Sequence, residues 1–327
     1  MISILNLGRC DYATALRLQE TLVELRKQNR VGNVLLFVEH PPVITLGRNA
    51  RQANIVAPRE LLTARGVEIH EINRGGDVTF HGPGQLVAYP IFDLRSFEPR
   101  LGVIDYVRRL EEVLMRVCAQ YTIETQRICG MTGVWTFPTI PPRLNPRKPG
   151  RDYTSSEMTG APGSRRALCG DNLGSRNVGD IGFGINAADA TTAGGPHPPS
   201  VGECGEQPTF WTERKIAAIG VHISRGVTSH GFALNVTTDL DFFQLIVPCG
   251  LTKPVTSIEF ETGLRPSLDE VMTVASRTFG ELFRSQMLWL ESIHDLIPAG
   301  SIPEAQDTPA RAPENERRIA GDDTHLA

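Results

Sequence analysis

The sequence lacks several things. No C-x-x-C pair occurs among its six cysteines, so neither a zinc ribbon nor a thioredoxin-type site is supported. Six cysteines in 327 residues are also too few for a disulfide framework. No run approaches 18 consecutive apolar residues, which excludes a membrane-spanning helix. Positive charge is not in excess: 33 Lys+Arg stand against 37 Asp+Glu, a net charge of −4. Non-specific nucleic-acid binding needs a concentrated positive field, so this balance argues against it. The first residues carry neither a charged segment before a long apolar stretch nor an Arg/Ser-rich leader, so the expected location is the cytoplasm. No G-K-[ST] phosphate loop and no G-x-G-x-x-G with a following helix is found.

Core-forming material is ample. Apolar residues are 40% of the chain, and the 31 glycines bring the total to about half, as in ordinary globular proteins. Composition shifts twice. From 137 to 210 there are 10 Pro and 12 Gly in 74 residues, without a period. Such a stretch predicts a long irregular insertion with no core of its own. Its first part carries Arg143, Arg147, Lys148, Arg151, Arg165 and Arg166; its later part carries Asp171, Asp180, Asp189, Glu203 and Glu206. From 298 to 327 the chain is polar, with six acids against three arginines, and reads as a loose, disordered tail. Residues 1–297 are therefore expected to form one catalytic domain, of about 220 residues once the insertion is set aside.

That core mixes two periods. Ala15, Leu18, Leu22 and Leu25 recur at helical spacing after Asp11, a plausible N-cap. A second stripe is Val103, Val107, Leu110, Leu114 and Val117, and a third helix opens on the capping box Ser267–Glu270. Short β-like runs lie at 34–38, 43–46, 67–72, 86–92, 216–223 and 232–236. Clustered strands separated by helices predict an α+β fold with mixed sheets.

Three places stand out chemically. RGGDVTFHGPGQLVAYP (74–90) sets two glycine clusters around a β-prone run, with Arg74, His81 and Gln85 as hydrogen-bonding groups. By itself it reads either as a hairpin with polar tips or as a glycine-rich ligand loop. Cys249 sits between Pro248 and Gly250 after an apolar run, on a turn where a side chain is held yet reachable. It is either structural or a nucleophile; the nucleophile needs a partner that makes the thiolate at neutral pH. His81, His222, His230 and Lys215 are the candidates. Lys215 opens the apolar run IAAIGV; beside a buried strand its pKa would fall toward about 7–8, whereas a head in water would leave it an ordinary strand-end lysine. Cys118 reads as core, and Cys10 and Cys129 lie at element edges.

Five blocks occur in order: EHPPVITLGR (39–48), RGGDVTFHGPGQLVAYP (74–90), RKIAAIGV (214–221), HGFALNV (230–236) and VPCGL (247–251). In order and content they resemble the octanoyltransferase family, the lipoyl(octanoyl) transferases of lipoate biosynthesis. The resemblance implies the fold shared with lipoate– and biotin–protein ligases: mixed sheets flanked by helices around a ligand tunnel. It implies transfer of an octanoyl group from octanoyl-acyl carrier protein to a lysine of lipoyl domains, those of 2-oxoacid dehydrogenases and of the glycine cleavage H protein, without cofactor or metal. Cys249 matches the family's nucleophile and Lys215 the lysine that lowers its pKa and shuttles its proton. Arg74, Gly75, Gly76, Asp77, Val78, Thr79, Phe80 and His81 match one segment lining the acyl site. Ala218, Ile219 and Gly220, with Gly231, Phe232 and Ala233, match two more. The departure from the family is the insertion between Gly133–Trp135 and Lys215, which the family usually crosses in a few residues. Two rivals remain: an ATP-dependent lipoate–protein ligase, which needs no nucleophilic cysteine, and a non-catalytic acyl-carrier-binding module.

Overall fold

The computed structural model describes residues 1–137, 213–247 and 253–297. The predicted insertion, apart from Phe137, the predicted tail and Cys249 all lie outside the described residues. So do Cys169 and Cys204.

Eight strands form the main sheet: β1 (Ile2–Arg9), β2 (Asn33–Glu39), β6 (Gln85–Ile91), β7 (Thr125–Ile128), β8 (Met131–Thr136), β9 (Lys215–Ser224), β10 (Val227–Asn235) and β11 (Met287–Leu290). Their order is β11-β1-β2-β6-β10-β9-β8-β7. β1 runs parallel to both its neighbours, and the other pairings are antiparallel, so the sheet is mixed as predicted. A smaller sheet has β3 (Val43–Leu46) between β4 (Glu68–Glu71) and β5 (Val78–His81).

Period-2 alternation decides which residue meets which layer. In β2, Leu35 and Phe37 join one core while Val34, Leu36 and Val38 join the other. β6 does the same, with Leu86 and Ala88 on one face and Val87, Tyr89 and Ile91 on the opposite one. Of helices α1 (Tyr12–Lys27), α2 (Arg59–Ala64), α3 (Val103–Gln120), α4 (Ile258–Thr262) and α5 (Leu268–Leu282), α3 and α5 cover the first face and α1 covers the second. The predicted stripes of α1 and α3 pack into the cores, except that Val103, at the start of α3, is exposed. Asp11 caps α1 by accepting from the Thr14 N–H at 2.8 Å, and the Ser267–Glu270 box closes reciprocally at α5. Cys118 is fully buried on α3, and burial pushes its thiol up to about 12, which makes it an inert core residue.

The small sheet has its own core. Ile44, Leu46, Val78 and Phe80 pack with Leu245 and Ile246, and Phe80 stacks on Phe242 with ring centres 4.8 Å apart. The two sheets meet where β5 turns into β6, and the cleft opens there.

Candidate active site

A cleft of about 860 Å³ lies between the small sheet and the β9–β10 pair of the main sheet. Two turns build its rim. The 47–49 turn and the 74–77 turn are laced together by backbone hydrogen bonds: Gly47 N–H to Asp77 O, Arg48 N–H to Arg74 O and Asn49 N–H to Gly76 O, at 3.0–3.2 Å. This lacing needs a glycine at 47, since a Cβ there would meet the Gly76 carbonyl. Arg74 turns inward and is only 7% exposed. Its guanidinium donates to the Thr45 carbonyl (2.8 Å), the Thr45 hydroxyl (3.0 Å) and the Gly75 carbonyl (3.0 Å). Asp77 accepts from the Arg51 and Val78 N–H groups and from the Asn54 side chain, fixing the 51–54 segment over the opening.

Arg74, Gly75, Gly76, Asp77, Thr79 and His81 all line the cleft, and so do Ala218, Ile219 and Gly220. Gly231, Phe232 and Ala233 line it from β10. Two predicted lining residues do not. Val78 and Phe80 point the other way along β5, into the core of the small sheet, because successive strand residues face opposite sides. The Gly75 N–H is also spent, on the Val221 carbonyl at 3.0 Å, which removes it from the donors open to a developing oxyanion.

Lys215 opens β9 at the cleft's edge. Its stem passes over Gly133, and its Nζ stands 5.0 Å from the centre of the Trp135 ring, a cation–π distance. Lys253 approaches the same ring at 5.9 Å and is held by Glu213 at 2.6 Å. The main chain of Lys215 is pinned to the segment after position 253: its N–H donates to the Pro254 carbonyl and its carbonyl accepts from the Thr256 N–H, both at 2.9 Å. On the other side of the same segment, Val247 lines the cleft and donates its N–H to the Asn54 carbonyl at 2.7 Å.

The second wall is aromatic. Tyr12, at the first turn of α1, stacks on His81 with centroids 6.2 Å apart and planes 9° apart, and His40 lies 6.0 Å from His81. Burial holds three imidazoles neutral: His40 is depressed to about 4, His230 to about 4 and His81 to about 3, the last also by neighbouring His40 and Arg74. Of the histidines named as candidate partners for a thiol, His222 does not line the cleft. Tyr12 and His40 were not singled out from the sequence. Tyr12 precedes Ala15 by three positions on the buried stripe of α1, so its inward direction was available from spacing; His40 carries no periodic signal.

The chain matches the lipoyl protein ligase A/B catalytic domain over residues 11–151 and 170–280. It is 50% identical over 327 residues to an octanoyltransferase of Koribacter versatilis, covering all of both chains. An octanoyltransferase of Acidobacterium capsulatum is 46% identical over 306 residues, 91% of this chain and 96% of that one. The chain belongs to the octanoyltransferase family. Within the predicted insertion, the match to the lipoyl protein ligase A/B catalytic domain is interrupted at 152–169. Two solved structures share the fold. A bi-partite lipoate protein ligase of Thermoplasma acidophilum has a TM-score of 0.51 at 14% identity, over 88% of each chain. LipL1 of P. falciparum in complex with lipoate has a TM-score of 0.53 at 8% identity, over 92% of this chain and 69% of that one.

Proposed function

We propose that this acyltransferase moves an octanoyl group from octanoyl-acyl carrier protein to a lysine of lipoyl domains through a thioester on Cys249, with Lys215 as base and acid. The observation that carries the reading is the bracketing of Cys249. It lies two residues beyond Val247, a cleft-lining residue, and five before Pro254, whose carbonyl holds the Lys215 backbone. Two residues of chain reach at most about 7 Å, which supports a thiol within reach of the cleft that Lys215 borders.

The chemistry fits these groups. Exchanging one thioester for another is nearly balanced, and a thiolate is the best natural nucleophile for that carbonyl. Lys215 takes the Cys249 proton, returns one to the departing pantetheine thiol, and later takes one from the attacking amine. Amide formation from the thioester is downhill and needs no ATP. Ile219, Val221, Phe232 and Ala233 give the cleft an apolar side for the acyl chain. Burying seven methyl and methylene groups there is worth about 5 kcal/mol before costs. Residues 1–297 act in this reading as one catalytic domain, working in the cytoplasm. Among the described residues, no helix is long and apolar enough to cross a membrane.

Intact-mass analysis after mixing with octanoyl-acyl carrier protein tests this. An octanoyl adduct is expected, mapped to Cys249, absent in Cys249→Ala and cleared by added lipoyl domain. Product formed from free octanoate and ATP, with no adduct, would instead make the protein a ligase.

A further inference from the structure

Behind the cleft wall a line of buried amides connects the Lys215 segment to His81. The Asn235 Nδ2 donates to the Thr256 carbonyl at 2.9 Å, and the Gln85 Nε2 donates to the Asn235 Oδ1 at 2.8 Å. The Gln85 Nε2 also faces the Phe80 carbonyl at 3.3 Å, and the Gln85 Oε1 lies 2.8 Å from the His81 Nδ1. Asn235, Gln85 and His81 are all buried. Two backbone carbonyls fix the direction of this line, because a carbonyl can only accept. Thr256 O forces the Asn235 amide nitrogen toward itself, which turns the Asn235 oxygen to Gln85. The Gln85 nitrogen must then face Asn235 and Phe80, leaving its oxygen for His81. A carbonyl oxygen at 2.8 Å requires a donor, so the proton of His81 sits on Nδ1. The one side-chain hydrogen bond of His81 among the described residues is this Nδ1 contact, and the ring lines the cleft.

We infer that Gln85 and Asn235 are positioning residues that lock His81 in its Nδ1–H form, so that Nε2 offers a lone pair to an N–H donor of the reacting substrates. Two substrate groups have that chemistry: the amide N–H next to the thioester on the pantetheine arm, and the amine of the incoming lysine. The assignment of these donors rests on the acyl transfer proposed above. Burial keeps the imidazole uncharged at neutral pH, which leaves Nε2 an acceptor and not an acid. A neutral ring in this form cannot donate from Nε2, so His81 is not the side chain that stabilises the oxyanion. Tyr12, stacked on one side of the ring, keeps it from turning.

Long-range ¹H–¹⁵N correlation on the ¹⁵N-labelled full chain at pH 7 reads the tautomer directly, with His81 assigned by its loss in His81→Phe. The expected spectrum has Nδ1 protonated and Nε2 bare; a protonated Nε2 would overturn the inference. Gln85→Leu should mix the tautomers. His81→Phe, which preserves ring size against Tyr12, should keep a native circular-dichroism spectrum. Both variants should slow at least one half-reaction about 10-fold, the worth of one well-placed hydrogen bond. Loss in acylation by octanoyl-acyl carrier protein assigns the pantetheine amide, and loss in transfer from isolated acyl-enzyme to a lipoyl domain assigns the lysine amine. Wild-type rates in both half-reactions for His81→Phe would overturn the role. Should Gln85→Leu not fold, the wild-type spectrum and His81→Phe decide. A wild-type protein with the expected tautomer but no acyl-enzyme would instead defeat the acyl-transfer reading, and with it the donor assignment.

Discussion

In the proposed reaction Lys215 passes protons between thiol, thiol and amine, so it must be able to lose its own, which an arginine in the same place cannot do. Guanidinium preserves the charge over Trp135 but stays protonated at any working pH. Lys215→Arg is therefore expected to lower kcat/KM about 10²–10⁴-fold, close to the loss in Lys215→Ala, in an assay with octanoyl-acyl carrier protein and a lipoyl domain. A variant within a few-fold of wild type would show that only the charge matters. At this scale the sequence was legible where a residue's chemistry was unusual for its surroundings, as with a lysine before IAAIGV. It was silent where side-chain direction mattered. Val78 and Phe80 share a motif with Thr79 and His81, and only the pairing of β5 with β3 shows which pair faces the cleft. The amide line from Thr256 to His81 joins residues up to 175 positions apart, and no local pattern announces it.

Elements position the site through close backbone contacts. Gly231 on β10 lines the cleft opposite the Ala88 carbonyl of β6, and a Cβ at 231 would fall within 2.0 Å of that oxygen. Backbone cannot step aside as a flexible side chain can, so the strands would have to separate. Gly231→Ala is expected to lower stability by about 1–3 kcal/mol in urea unfolding. Gly32→Ala, which meets nothing within 4 Å, should stay within about 0.5 kcal/mol. Equal effects would mean the β6–β10 approach is not tight. The three long helices are legible because their stripes and caps are local; the short helices Arg59–Ala64 and Ile258–Thr262 are not among the expected elements. β1 and β11 were not anticipated as strands: β11 is a four-residue edge strand with half-exposed side chains, and β1 alternates only in part.

The whole molecule holds His40, His81 and His230 buried and neutral around the aromatic wall of the cleft, and this makes its stability depend on pH. Their folded pKa values lie below the ordinary histidine value of about 6.5, so the unfolded chain binds more protons as acid is added. Stability is full above about pH 6.5 and falls with pH down to the folded values. At pH 5 each histidine costs about 2 kcal/mol relative to pH 7. Urea midpoints at pH 7 and 5 check this, and a flat profile would mean that the wall is open to water. The fold also brings together residues that are far apart in sequence: the 74–81 loop and Val247 at the cleft, with Pro254 on the backbone of Lys215 at the start of β9. In the proposed reaction the Cys249 thiol works beside the Lys215 amine. The rate of Cys249 alkylation by iodoacetamide across pH, followed by peptide mass, tests that pairing most directly. An apparent thiol pKa below the ordinary value of about 8.5 is expected in the wild type, rising to that value or above in Lys215→Ala. Superimposable profiles for the two proteins would contradict it.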